Sequence, residues 1–206
     1  MIARYQGETG QTFTFDRIDR SEALIKFDND PEIWALKPTP GPRGDIIYKN
    51  DMGQPVLRAT RLGGMTIFTP GRPEGAAAAF IGQAAAPRPP PVLGYYGIAQ
   101  LATQASARAS RAAQHLIEFD APDVTVETEG LYADAFVIAA EAFVHASQRG
   151  PAVQKMMSRF SSVRFISGRG PSAEARGPVV QITIAPRLGI AGRPSSELIA
   201  ALLARR

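Results

Sequence analysis

The sequence predicts an α+β fold: an N-terminal antiparallel β-meander or small barrel over residues 1–82, then a mixed helical lobe with a small sheet over 92–206. Three observations carry this. Apolar and polar residues alternate with period two through the first part, as half-buried antiparallel strands require. A proline-rich stretch, residues 83–91, breaks that pattern. Beyond it, apolar residues return at spacings of three and four, which place them on one face of a helix.

The first part reads as seven short strands. Strand-like sequence begins at Met1 to Tyr5. Phe13 and Phe15 then share one face against Thr12 and Thr14, and Ala23, Ile25 and Phe27 alternate with Lys26 and Asp28. Trp34 with Leu36, then 46–49, 56–60 and 65–69, complete the set. Residues that accept tight turns separate these runs: 8–11, 29–31, 50–53 and the pair Gly63-Gly64. The consecutive prolines of 83–91 exclude helix and central strand, and predict a stiff connector.

The second part opens with a long helix over 92–117. Tyr95, Ala99, Ala102, Ala105, Ala109, Ala112 and Leu116 form its packing face, with Arg108, Arg111 and His115 on another stripe. A strand over 124–128 follows. A helix over 131–148 is apolar almost all round, which makes it central, apart from a polar stripe of Asp134, Glu141, His145 and Gln148. Gly150-Pro151 starts a short helix carrying Val153, Met156, Met157 and Phe160. Strands at 163–166 and 179–185 are joined by an Arg- and Gly-rich loop, and a last helix opens at Pro194.

Composition bounds the function classes. With 206 residues, 45% of them apolar and 20% charged, the chain can bury one core or two small ones. No apolar run approaches the ~20 residues that span a bilayer. The start lacks the basic, apolar and small-residue regions of a secretory signal. It fits a cytoplasmic chain, or a periplasmic or secreted mature chain with Met1 added. There is no cysteine, which excludes thiol catalysis, thiolate metal sites and disulfides. The net charge of +4 is compatible with an anionic partner without demonstrating one. Residues 118–141 hold seven acids and no Lys or Arg, while 149–206 hold ten basic residues and two acids. Mutual neutralisation across the fold accounts for that asymmetry more simply than one basic face.

Candidate chemistry is sparse. His115 and His145 are the two histidines. Glu141 and His145 lie one helical turn apart, but a metalloprotease helix needs a second histidine there, so a solvated ion pair is expected, with no metal and no cofactor. Ser167-Gly168-Arg169-Gly170 lacks the spacing of a nucleophile elbow. Among Asp120, Asp123, Glu127 and Glu129, the last two share one face of the predicted strand, as a solvent-facing edge would. Arg43-Gly44-Asp45 matches an integrin-binding tripeptide, yet a turn before a strand explains it. The best-placed polar loop precedes the last helix. Its Arg187, Gly189, Gly192, Arg193, Ser195 and Ser196 combine free N–H groups, close backbone approach and guanidinium donors, which suit an anion or a structural cap.

The segments 34–45 (Trp-Ala-Leu-Lys-Pro-Thr-Pro-Gly-Pro-Arg-Gly-Asp), 49–53 (Lys-Asn-Asp-Met-Gly), 57–64 (Leu-Arg-Ala-Thr-Arg-Leu-Gly-Gly) and 190–196 (Ile-Ala-Gly-Arg-Pro-Ser-Ser) resemble an uncharacterised bacterial domain-of-unknown-function family over most of the chain. Proteins of that kind are often exported. The resemblance implies no activity and assigns no catalytic residue.

These readings favour a non-enzymatic envelope or secreted protein that binds a small anionic ligand or a protein partner. The rivals are a hydrolase or transferase acting on an anionic substrate, with Arg187 and Arg193 at the binding end, and a nucleic-acid binder. The aromatic-poor basic segment, holding Phe160 and Phe165 after residue 148, argues against the last. Oligomeric state leaves no sequence signature here.

Overall fold

A computed structural model describes residues 2–87 and 94–205, with Tyr95 described by its backbone alone. The chain divides into two compact units, Met1–Arg88 and Pro89–Arg206. Residues 88–91 of the expected proline connector, the helix start at 92–93 and the Tyr95 side chain lie outside the described residues.

The first unit is a closed, eight-stranded antiparallel barrel in which each strand pairs with the next and the last with the first. The strands are β1 (Ile2–Gly7), β2 (Thr12–Asp16), β3 (Ala23–Phe27), β4 (Ile33–Pro40), β5 (Ile46–Lys49), β6 (Pro55–Ala59), β7 (Met65–Thr69) and β8 (Arg72–Gln83). Seven strands were expected; β8 is the addition. Its Ala76–Ala79 run lacks alternation, yet β8 closes the barrel on β1 through the pairs Gly7↔Ala78 and Tyr5↔Phe80. A register shift between Arg4 and Tyr5 accommodates the closure.

Register explains the interior. Phe13 lies opposite Phe27, Ile25 opposite Trp34, Tyr48 opposite Leu57, and Leu57 opposite Ile67. These rows point inward together, and Phe13, Ile25, Leu36, Tyr48 and Leu57 are fully buried. Phe15 meets Tyr48 edge-on at 4.9 Å between ring centroids, and Phe13 meets Phe27 at 5.8 Å. Eight strands make a barrel just wide enough for side chains to fill, and here aromatic and aliphatic groups fill it. The interior is apolar, while the outward residues Arg4, Thr12, Thr14 and Lys26 are polar, the reverse of a membrane barrel.

At one end of the barrel Asp45 accepts 2.7 Å from Arg58 Nε, with Arg58 Nη2 on the same oxygen and the Arg61 N–H at 3.3 Å on the other. The Arg43-Gly44-Asp45 carboxylate is thus committed internally. The Arg58 hydrogen bonds hold the Asp45 carboxyl below the usual carboxylate range.

The second unit is a two-layer α/β arrangement. Helix α1 (Gly94–Ala113) precedes β9 (Glu118–Asp120), α2 (Glu129–Ser147), α3 (Pro151–Met157), β10 (Ser162–Ser167), β11 (Ser172–Arg176), β12 (Val179–Ile184) and α4 (Ser196–Leu203). The sheet order is β11-β12-β10-β9, with β9, β10 and β12 parallel and β11 antiparallel at the edge. Val163, Phe165, Val180, Ile182 and Ile184 form its buried face. Against it pack Tyr132, Phe136, Ala139 and Phe143 of α2, joined by Phe119 and Phe165 in an aromatic cluster. Helix α2 is central, touching α1, α3 and α4.

Several sequence expectations are corrected. Residues 124–128 form turns, not a strand, because Thr125 and Thr128 bond each other: the Thr125 N–H reaches Thr128 Oγ1 at 3.0 Å. The strand in that region is the shorter β9. The Arg- and Gly-rich loop contains β11. Helix α1 stops at Ala113, where Gln114 takes φ +62°, so His115 and Leu116 leave the helix and Leu116 is exposed. The buried stripe of α1 runs through Ile98, Ala105, Ala109 and Ala113, with Ala102 partly buried beside it.

Two predictions follow for the barrel. The Trp34 indole N–H is buried with no acceptor among the described residues, so Trp34→Phe removes an unsatisfied donor while keeping most of the ring. Denaturant unfolding should place Trp34→Phe within about 1 kcal/mol of the parent and Trp34→Ala about 3 kcal/mol below it. The Asp45 carboxyl, lowered in the folded state, contributes stability that is full above its unfolded value of about 4 and is lost as pH falls through the folded value. Acid unfolding followed by Trp34 fluorescence should show a shallower pH dependence in Asp45→Asn below about pH 4, with lower stability at neutral pH.

Candidate functional site

The loop proposed from sequence is tied into the fold. Pro186–Gly192 winds as 3-10 turns broken at Gly189, where φ is +54°. Gly192 passes so close to Ala185 that a Cβ there would lie 2.1 Å from the Ala185 carbonyl oxygen. Ala185 in turn donates its N–H to Gly192 O at 2.7 Å. Arg193 turns inward, and its Nε donates to Asp134 Oδ2 at 2.5 Å, with the two side chains 2% and 5% exposed. Ser195 caps α4 by accepting the Leu198 N–H at 3.1 Å, and Ser196 is buried. Arg187 and Gly189 stand exposed on the outer turn.

The pair Arg193–Asp134 joins the basic C-terminal segment to the acidic one, as does Arg164–Asp120 at 3.2 Å. Glu141 was expected as a solvated partner of His145. It is instead buried and held by Arg108 of α1 at 2.6 Å. Glu129 is buried at the start of α2 and accepts the Gly94 N–H at 3.3 Å, so Glu127 and Glu129 share no strand face. Ser167 gives its N–H to Asp123 at 2.8 Å, and its hydroxyl lies 3.0 Å from Tyr132 OH. Burial pushes the Tyr132 phenol up.

A different part of the second unit gathers polar groups around an open groove. An open groove of about 850 Å³ is lined by Gln114 and His115 after α1, Ser147 and Gly150 after α2, and Gln154, Lys155 and Ser158 around α3. Local structure explains the convergence. The positive φ of Gln114 folds the chain back, so that His115 Nδ1 faces Ala113 O at 2.9 Å and Nε2 faces Phe160 O at 2.6 Å. Gln154 Nε2 donates to Ala112 O at 3.1 Å, tying α3 to the end of α1. His115 and Gln154 are therefore the floor of the groove, while Gln114 and Lys155 are exposed on its walls.

Charge at this groove has one sign. Its lining includes Lys155 and no carboxylate. Arg149 precedes Gly150, Arg159 follows Ser158 with its guanidinium 4.6 Å from the Phe160 ring centre, and Arg111 lies in the last turn of α1; all three are exposed. By contrast, two grooves on the barrel, of about 720 and 490 Å³, contain Asp16 and Glu8 respectively. Sequence reasoning placed His115 and Arg111 on a polar stripe and missed Gln114, Gln154 and Lys155. Three separated segments build the groove, and the packing of α2 with α1 and α3, with the Gln154 bond to Ala112, brings them together.

Fold and site describe an α+β protein with a filled β-barrel, an α/β unit and an acid-free basic groove on the latter. The chain belongs to the DUF4908 family, a domain of unknown function, whose family model matches residues 1–203. No curated protein and no solved structure matches it.

The buried Arg193–Asp134 pair yields a stability prediction. Removing either partner leaves a charge in the core, so Asp134→Ala and Arg193→Met should each cost about 3–5 kcal/mol in denaturant unfolding. The double variant Asp134→Leu/Arg193→Met should recover much of that loss, since neither charge then remains.

Proposed function

We propose that this protein is a non-enzymatic binding protein whose second unit takes an anionic ligand in the groove between the ends of α1 and α2 and the helix α3. The observation that carries this is the sign of the groove: Lys155 in its lining, the exposed Arg111, Arg149 and Arg159 close to its lining residues in sequence, and no carboxylate in its lining among the described residues. Gln114, also in the lining, adds an amide donor. Guanidinium and ammonium donors give charge-assisted hydrogen bonds, roughly twice as strong as neutral ones. A binding role is favoured over chemistry because His115 faces two backbone carbonyls and is occupied as a structural clamp.

The test is thermal unfolding of the full chain with inorganic phosphate, pyrophosphate and citrate, against chloride at equal ionic strength. The polyvalent anions should raise Tm in the parent. Lys155→Glu, at an exposed position, should fold normally by circular dichroism and bind about tenfold more weakly, equivalent to about 1.4 kcal/mol. Equal stabilisation by chloride, or an unchanged response in Lys155→Glu, would overturn the proposal.

A further inference from the structure

We infer that the anionic ligand is the headgroup layer of a membrane containing acidic phospholipid, and that Leu116 enters the interface beside the groove. This rests on the anion-binding reading of the groove and adds an independent observation. Leu116 directly follows His115 of the groove floor and directly precedes Ile117, which is fully buried. Its own side chain is 65% exposed. The chain is pinned on both sides: Ser110 Oγ accepts the Ile117 N–H at 2.9 Å, and the His115 ring spans two carbonyls. A large aliphatic side chain is thus presented to solvent on the turn that follows α1, beside a groove lined by Lys155; the exposed Arg111, Arg149 and Arg159 lie close to its lining residues in sequence, and the exposed Glu118 lies two residues beyond Leu116.

The combination selects among anionic partners. A free metabolite is usually enclosed over most of its surface, whereas this groove is open. Single-stranded nucleic acid is held by cations interleaved with exposed aromatic rings. Here the neighbouring ring, Phe160, is buried, and the exposed apolar residue is aliphatic. Cations that reach lipid phosphates around an apolar side chain at the headgroup boundary are the two complementary features of a peripheral membrane contact. The contact is with the surface: among the described residues no helix is long and apolar enough to cross a membrane.

The experiment is flotation of the full chain with vesicles of phosphatidylcholine alone, and of phosphatidylcholine with about 30% phosphatidylglycerol, at low and high salt, beside inorganic phosphate as a soluble probe. Binding is expected to the acidic vesicles only, and to weaken as salt screens it. Arg149→Gln and Arg159→Gln should each lower partitioning roughly fivefold, the equivalent of about 1 kcal/mol per cation at an acidic surface. Leu116→Ser should weaken vesicle binding by a similar factor and leave the response to inorganic phosphate unchanged. Leu116→Trp in a Trp34→Phe background should shift its fluorescence to the blue on acidic vesicles. Binding of inorganic phosphate without binding of acidic vesicles would overturn this inference and leave the anion-binding role standing; absence of both would remove both. Binding of a single-stranded RNA in place of the vesicles would overturn it in favour of nucleic acid. Vesicle binding that Leu116→Ser does not change, with no blue shift for Leu116→Trp, would overturn the insertion of Leu116.

Discussion

Helix α2 carries three carboxylates that are buried from water, Glu129 at its start and Asp134 and Glu141 within it, and the arginines that neutralise the latter two tie the second unit together. Asp134 and Glu141 lie two turns apart on one side of a helix that is otherwise apolar. Each would be prohibitively costly alone in the core. Arg108 reaches Glu141 from α1, and Arg193 reaches Asp134 from the segment before α4. Both flanking elements are therefore registered against α2 by charge as well as by packing. The sheet takes the opposite side of α2, where Tyr132, Phe136 and Phe143 lie against its buried face. Once Arg193 is committed inward, the loop that carries it becomes a brace between β12 and α4.

In the barrel the governing constraint is volume. Closure removes free sheet edges, and the enclosed space is consumed by Phe13, Phe15, Phe27, Tyr48 and their aliphatic neighbours. A ligand has no claim on that interior without displacing the core. The polar chemistry of this unit is spent locally, as in the Asp45–Arg58 pair. On its outer surface Phe80 and Ile81 of β8 are exposed.

Much of this architecture is legible from residues in order. The strands β5 and β7 coincide with the alternating runs, and β2 and β3 are centred on them; buried and less buried residues alternate in β2, whereas Leu24 of β3 is buried beside Ala23 and Ile25. Strand β8 escapes because four consecutive alanines carry no period, and only the partner strands reveal which of them face inward. Strand β11, Ser-Ala-Glu-Ala-Arg, lacks the β-branched residues that mark a strand and depends on pairing with β12. At 124–128 the β-branched residues mislead, since the hydroxyls of Thr125 and Thr128 bond locally and favour a turn. The polar stripe on α2 is visible in sequence, but not that it faces arginines in the interior. The groove is the least legible feature, as its residues come from three chain segments and are defined by contact.

A structural account of the groove's cations exists, and its reach can be stated. Arg111 and Lys155 lie in the last turns of α1 and α3, and Arg149 just beyond α2, where the helix dipole favours positive charge by about 0.3–1 kcal/mol each. That term explains why a basic residue is tolerated at each end, one helix at a time. It does not explain why three such ends are brought to one groove, since that follows from Gln154 and His115 tying α3 and Phe160 to the end of α1. Still less does it account for Leu116, which gains nothing from a dipole and incurs a hydrophobic cost in water. The proposed partner, both anionic and apolar, is one that would meet these cations and the exposed Leu116 together.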